Sequence, residues 1–292
     1  MRPSPLHGPA FEAFVAPARR RPRLWRLMLG GVLAGAVWLA TVAFCLRLAL
    51  ARGLGPGDPG LVIAYLFSFA GLAGGAALAA RLLGGRGPAT LIGPGGFEPR
   101  AFAWGALVVA GFATAGALAG ALFDDPLRRS LALGPWLRAL PLALPALAIQ
   151  TAAEELAFRG FLLQGLAARF RAPPVWLGLP ALVFGALHWD PATYGPNAPL
   201  VVANAALIGL ILGDVTARRG NLSLAMGMHF ANNAAALLLV AAPGPLSGLA
   251  LWVSSTGPDQ PAAFGRLLLV GLGATLACYA LWLGWNRRGG RG

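Results

Sequence analysis

The sequence predicts an all-α fold, a polytopic membrane bundle of about eight transmembrane helices with both termini cytoplasmic. Of its 292 residues, 57% are hydrophobic and only 11% are charged, whereas charged residues make up about 25% of an average soluble domain. A transmembrane helix needs about 20 mostly apolar residues, so this apolar content is enough for roughly eight spans. The composition excludes an ordinary soluble protein.

The chain divides into four segments. Residues 1–23 are rich in proline and arginine without apolar periodicity, which predicts a flexible basic leader. Residues 24–136 hold three spans, residues 137–242 hold four, and residues 243–292 hold the last span and a basic tail. The first apolar stretch is longer than a secretory signal, so we expect it to stay as an anchor. The predicted spans are Leu24–Leu50, Leu61–Leu83, Ala101–Phe123, Leu137–Phe170, Val175–Trp189, Ala198–Ala217, Leu222–Ala242 and Phe264–Trp285.

The arginines predict the orientation. All 23 basic residues are arginines, and the net charge is +13. With both termini inside, 16 arginines lie in or beside cytoplasmic segments, six lie on the opposite side, and Arg159 lies within the fourth span. Such a bias is typical of cytoplasmic loops. No basic stripe with interleaved aromatic residues occurs, which argues against nucleic acid as a partner, and the lipid bilayer is the expected anionic neighbour.

Two adjacent carboxylates, Glu154 and Glu155, lie deep in the longest apolar segment. A charge at the centre of a span costs about 2.5–3.5 kcal/mol on insertion scales, which indicates a functional pair. Arg159 follows Glu155 by four residues on the same helical face, so we expect these two to form an ion pair. Neighbouring residues are about 100° apart around a helix, so Glu154 points elsewhere and is available for chemistry.

Two histidines also fall within predicted spans. His188 follows Phe184 by four residues in the fifth span, and His229 precedes Asn233 by four residues in the seventh. Residues at this spacing share one helical face. If the helices are neighbours, these side chains and Glu154 can meet at one site within the membrane.

Three segments carry a family resemblance. Glu154 to Gly160 (EELAFRG), Phe184 to His188 (FGALH) and His229 to Asn233 (HFANN) resemble the EExxxR, FxxxH and HxxxN motifs of the CAAX protease and bacteriocin-processing family, CPBP or Abi. The resemblance covers roughly residues 137–242 and identifies this segment as the catalytic core of an intramembrane endopeptidase. It implies a peptide or protein substrate, which is prenylated in eukaryotic members of the family.

The resemblance also implies roles for the motif residues. Glu154 is expected as the general base for a water molecule that His188 helps to hold, and His229 and Asn233 are expected to face the carbonyl oxygen. Glu155 belongs to the catalytic set and, with Arg159, keeps the fourth helix in register. Phe184 supports His188 from one turn below.

A zinc ion is a second possibility for the mechanism. Glu154, His188 and His229 could supply three ligands with an open position for water. Cys45 and Cys278 lie in apolar runs without a CxxC or CxxH neighbour, so a thiolate site is not predicted. There is no HExxH motif, and both the metal-free and the zinc-dependent mechanism stay open.

Two other classes of function are considered. Intramembrane Glu and His residues also occur in proton-coupled transporters, although the repeated halves expected of such a carrier are not found. A non-catalytic scaffold or immunity-type membrane protein is the other alternative. The bias towards Ala, Gly, Arg and Pro, without lysine, indicates a bacterial source, so we expect the protein in the bacterial cytoplasmic membrane.

Overall fold

The structure is a computed structural model that describes residues 8–122 and 127–289. The first seven residues of the predicted leader, part of the loop after the third span and the last three residues of the tail lie outside the described residues. The α-helices are α1 (Pro9–Val15), α2 (Leu24–Ala51), α3 (Pro59–Ser68), α4 (Ala70–Leu82), α5 (Pro99–Leu122), α6 (Leu133–Glu155), α7 (Gln164–Ala167), α8 (Leu179–Ala186), α9 (Pro191–Tyr194), α10 (Ala198–Arg219), α11 (Ser223–Ala234) and α12 (Pro261–Gly289).

Three π-helical segments extend these helices. Leu156–Leu163 joins α6 to α7, Pro174–Gly178 leads into α8, and Ala235–Leu239 follows α11. The long fourth predicted span is therefore one continuous helical stretch of mixed geometry. Short 3₁₀ turns lie at Ala16–Arg20, Pro88–Leu91, Gly195–Asn197 and Ser247–Leu249.

The fold is mostly helical and belongs to a multi-pass membrane protein. Within the described residues, four helical stretches are long and apolar enough to cross a membrane. They are Leu24–Ala51, Pro59–Leu82, Pro191–Arg219 and Pro261–Gly284. Large apolar side chains of α2 such as Val32 and Phe44 are exposed, as expected for a helix in lipid. The number of eight spans and the cytoplasmic position of both termini stay predictions.

Close helix packing brings the motif helices together. The helix α11 lies against α5, α6 and α10, while α10 packs on α8. A Cβ atom on Gly227 would overlap the carbonyl oxygen of Phe102, and one on Gly105 would overlap that of Leu224. Glycines thus let the backbones of α5 and α11 approach closely, as small residues do between membrane helices. This contact positions the helix that carries His229.

A small sheet was not predicted. The strands are β1 (Leu127–Arg129), β2 (Val240–Ala241) and β3 (Trp252–Ser254), in the order β1-β3-β2, with β1 antiparallel and β2 parallel to β3. The fold is mostly helical, as the sequence predicts, and this short sheet is an addition to it. Strands of two or three residues are too short to show an alternating pattern.

The leader prediction also needs correction from residue 9 onwards. Residues 9–20 are helical, and Phe11, Phe14 and Val15 of α1 are buried in one cluster with Trp176. The three apolar residues occur at helical spacing, so they form a stripe that packs on the membrane helices. This part of the leader is therefore folded against the bundle and not flexible.

Candidate active site

Two adjacent glutamates end α6. The Glu155 side chain is fully buried, whereas 12% of the Glu154 side chain remains exposed. Neighbouring helical residues point about 100° apart, which explains this difference. The π-helical segment that begins at Leu156 follows directly, and such departures from α-geometry occur frequently at functional sites.

Glu155 forms a buried ion pair. Its Oε1 atom lies 2.8 Å from Arg159 Nη1, so the pair that the spacing predicts is present. Arg159 Nη2 also donates to the Gly209 carbonyl oxygen of α10 at 3.0 Å, and its guanidinium lies 5.0 Å from the centre of the Phe184 ring. Arg159 therefore connects the π-helical segment to α8 and α10. Its several partners compensate a charge that would otherwise be costly to bury.

His229 lies between the two carboxylates. Its Nδ1 atom is 2.8 Å from Glu155 Oε1, and its Nε2 atom is 3.4 Å from Glu154 Oε2. A carboxylate at Nδ1 fixes the hydrogen on that nitrogen and sets the orientation of the ring. The arrangement directs Nε2 of α11 towards the partly exposed glutamate of α6.

His188 lies in the turn after α8 and is exposed, whereas the sequence placed it within the fifth span. The helix ends because Asp190 and Pro191 start the next one, with Asp190 Oδ1 accepting from Thr193 N at 3.0 Å. His188 Nδ1 lies 2.9 Å from the Phe184 carbonyl oxygen. If Nδ1 donates to this carbonyl, Nε2 is left as an acceptor.

The Phe184 ring lies close to both histidines. Its centre lies 4.9 Å from that of His188 and 6.0 Å from that of His229. The carboxylate of Glu154 interacts electrostatically with both imidazoles. His188 and His229 thus share one aromatic neighbour, while Glu154 and Glu155 both lie next to His229.

Asn233 reaches the site through a residue that sequence reasoning missed. Asn233 Nδ2 donates to Gln150 Oε1 at 3.0 Å, and the Gln150 side chain is in turn hydrogen-bonded to Glu154. Gln150 is buried and lies one helical turn before Glu154. The sequence feature that could have identified Gln150 is a polar amide in an apolar run, four residues before Glu154. Asn233 is therefore linked to Glu154 through Gln150 of α6.

An apolar cavity borders the other side of His229. It has a volume of about 460 Å³ and lies between α5, α10, α11 and α12. His229 and Asn232 contribute polar side chains to its wall, and most of the remaining wall is aliphatic or aromatic. Pockets with this composition bind apolar ligands and orient them by a few polar groups.

The fit of zinc is incomplete. Two ligands of one tetrahedral zinc at about 2.1 Å are about 3.4 Å apart, and His229 Nε2 and Glu154 Oε2 have this separation. Among the described residues, however, no group of three or more His, Cys, Asp or Glu side chains is arranged to hold a metal ion. His188 does not complete the predicted ligand set in this geometry, so no catalytic step is assigned to a metal.

Comparisons with known proteins cover this part of the chain. The family model described as type II CAAX prenyl endopeptidase Rce1-like matches residues 135–235, which include every predicted site residue. The uncharacterized protein YyaK of Bacillus subtilis (strain 168) is 36% identical over 99 residues, which are 34% of this chain and 32% of that protein. The match thus spans about a third of the length of this curated relative. No solved structure matches the chain significantly.

Proposed function

We propose, on the premise that residues 135–235 form an Rce1-like type II CAAX prenyl endopeptidase domain, that this membrane protein is an intramembrane endopeptidase that hydrolyses a peptide bond. The observation that carries the proposal is the position of His229, with Nδ1 2.8 Å from one glutamate and Nε2 3.4 Å from the other. A buried imidazole oriented by one carboxylate and directed at a second suits acid–base chemistry better than passive packing.

Glu154 is the proposed general base. Its carboxylate is the more accessible of the two, and it interacts with both histidines. A water molecule between Glu154 and Nε2 of His188 would give one proton to the carboxylate as its oxygen bonds to the substrate carbonyl carbon. When the carbon–nitrogen bond breaks, the same proton passes to the leaving amine, so the carboxylate returns to its starting state.

His229 and Asn233 are the proposed donors to the developing oxyanion. When His229 Nε2 carries a hydrogen as well as Nδ1, it can donate to a substrate oxygen that lies beside Glu154, while Glu155 continues to hold Nδ1. The Asn233 amide nitrogen carries two hydrogens and uses one for Gln150, which leaves one for the oxyanion. Fixed donors of this kind lower the barrier because they need no reorganisation during the reaction.

The substrate is proposed to be a protein or peptide with an apolar segment. The cavity of about 460 Å³ beside His229 can accept apolar side chains or a lipid group close to the scissile bond. The polar wall at His229 and Asn232 then marks the end of the apolar segment, next to the bond that is cut.

The test compares new protein N-termini in cells that produce the parent protein with those in cells that produce Glu154→Gln or His188→Ala. We expect at least one membrane protein fragment that appears with the parent and is absent with both variants. Glu98→Gln is the matched control, because Glu98 is half exposed and paired only loosely with Arg219 at 3.9 Å. Identical sets of N-termini in all cells would contradict the proposal.

A further inference from the structure

A second charged site lies away from the glutamates, at a small cavity where α2 begins and α4 has just ended. The residues that matter in its wall are four arginines, namely Arg21, Arg23, Arg26 and Arg86. No acidic residue contributes to this wall. The proposed protease mechanism uses none of these groups.

The cavity lies at the level of lipid headgroups. Consecutive spans run in opposite directions, so the start of Leu24–Ala51 and the end of Pro59–Leu82 meet at the same face of the membrane. Trp25 is 53% exposed beside the cavity, and tryptophan is enriched at membrane–water interfaces. The arginines therefore lie where phosphate groups of the bilayer are found.

Backbone and side-chain contacts hold three of the guanidinium groups in place. Arg21 Nε would be 2.8 Å from a Cβ atom on Gly85, so the Arg21 side chain lies against this loop. Arg26 Nη1 donates to the Leu83 carbonyl oxygen at 3.3 Å, while Arg26 Nε is buried without a hydrogen-bond partner among the described residues. Arg86 donates to Gln164. These contacts pre-organise the donors around the cavity.

The positive charge of this cluster is not compensated by carboxylates. In the described part of the chain, the carboxylates in ion pairs with arginines belong to Glu12, Asp214, Glu98 and Glu155, and their partners are other arginines. Arg86 is only 5% exposed. Burial lowers the pKa of Arg86 to about 10, which still leaves the guanidinium charged at neutral pH. A buried charge of this kind calls for an anionic partner.

The start of α2 adds to the attraction. This helix has 28 residues, and its N-cap residue Arg23 makes no side-chain capping hydrogen bond. Arg26 N donates to the Arg23 carbonyl oxygen at 3.1 Å, and helix geometry leaves the N–H groups before it without a carbonyl partner in the helix. The helix dipole is positive at this end. Helix N-termini with free N–H groups are frequent sites of phosphate binding.

We infer that this arginine cavity binds the phosphodiester headgroup of an anionic membrane phospholipid such as phosphatidylglycerol. The bidentate geometry of guanidinium suits phosphate oxygens, and basic pockets between membrane helices bind anionic headgroups. The cavity volume of about 30 Å³ accepts only about two or three oxygen atoms, since one water needs about 10–15 Å³. The rest of the lipid stays outside, with its acyl chains along the exposed face of α2.

The test measures lipid binding to the purified full chain in neutral detergent by native mass spectrometry. The variant Arg23→Gln with Arg26→Gln is compared with Arg47→Gln with Arg52→Gln. The control removes two exposed arginines from the other end of the same segment and has the same net charge. We expect the first variant to lose about 30-fold in affinity for phosphatidylglycerol, because two arginines contribute about 2 kcal/mol. The control should lose less than threefold.

A comparison of two lipids tests whether the protein recognises the anionic headgroup. Phosphatidylglycerol should bind the parent at least tenfold more tightly than phosphatidylcholine, which is zwitterionic, and should raise its melting temperature. This comparison needs no variant, so it holds even if Arg23→Gln with Arg26→Gln fails to fold. Equal binding of the two lipids, equal losses in the two variants, or the same stabilisation by inorganic phosphate alone would overturn the inference.

Discussion

His229 Nδ1 and Glu155 Oε1 lie 2.8 Å apart, so a glutamate of α6 orients the histidine of α11. The same oxygen also accepts from Arg159 Nη1 at 2.8 Å. The buried Glu155 carboxylate thus both pairs with Arg159 of the π-helical segment and orients the His229 imidazole. It follows that stability and catalysis should depend on the same residue.

Arg159→Met should reduce the stability of the protein strongly. The substitution leaves Glu155 buried with His229 as its remaining partner, and breaking a buried pair in this way costs about 3–5 kcal/mol. Thermal unfolding in detergent measures the effect. Arg219→Met is the matched control, because its pair with Glu98 is half exposed and such pairs contribute at most about 1 kcal/mol. Equal melting temperatures for the two variants would refute the structural role of Arg159.

Gln150→Leu should lower kcat about tenfold and leave KM within about twofold. The variant removes the amide that joins Asn233 to Glu154, and one hydrogen bond contributes about 1–1.5 kcal/mol. Steady-state kinetics with a cleaved peptide would measure the change. Gln260→Leu is the control, because Gln260 is exposed and bonds to a loop carbonyl. A change in KM alone would argue that Gln150 helps to bind substrate and does not position the site.

Gly227→Ala should destabilise the contact between α5 and α11. The added methyl group would overlap the Phe102 carbonyl oxygen, and overpacking of this kind costs about 1–3 kcal/mol. Gly31→Ala is the control, because nothing lies within 4 Å of the new Cβ atom and alanine favours the helix. The two melting temperatures should therefore shift in opposite directions. A neutral Gly227→Ala would mean that the helices pack less closely.

Activity should survive removal of divalent metals. His188 is not arranged with Glu154 and His229 as a third ligand, and the proposed steps need no metal. Purified protein treated with a zinc chelator is compared with untreated protein for cleavage rate, and its zinc content is measured. Loss of activity on chelation, followed by recovery when zinc is added, would support the zinc-dependent alternative.

The apolar pattern predicted the helices well but not their internal geometry. Each predicted span overlaps helix in the described residues, because long apolar stretches must satisfy their backbone hydrogen bonds internally. The fifth span, however, leaves helix after Ala186, and the seventh leaves it after Leu239, where β2 begins. The apolar pattern does not show two local features of these helices. They are the change to π-geometry at Leu156 and the break between α3 and α4 at Phe69. They depend on contacts with neighbouring helices.

The site was predictable where spacing along one helix decides the contact. The pair of Glu155 and Arg159 follows from their separation by four residues. The position of His229 between two glutamates depends on how α11 crosses α6, and the exposure of His188 depends on where α8 ends. Neither can be read from one sequence without knowledge of helix packing. The roles of these residues in catalysis stay predictions.

The most direct test is the rate at which purified protein in liposomes cleaves a peptide that contains a cleavage site found in cells. We predict that Glu154→Gln lowers kcat by a factor of about 10²–10⁴, the range of a general base, with an unchanged melting temperature. Cleavage by Glu154→Gln at the parent rate would contradict the proposal that this glutamate activates the attacking water.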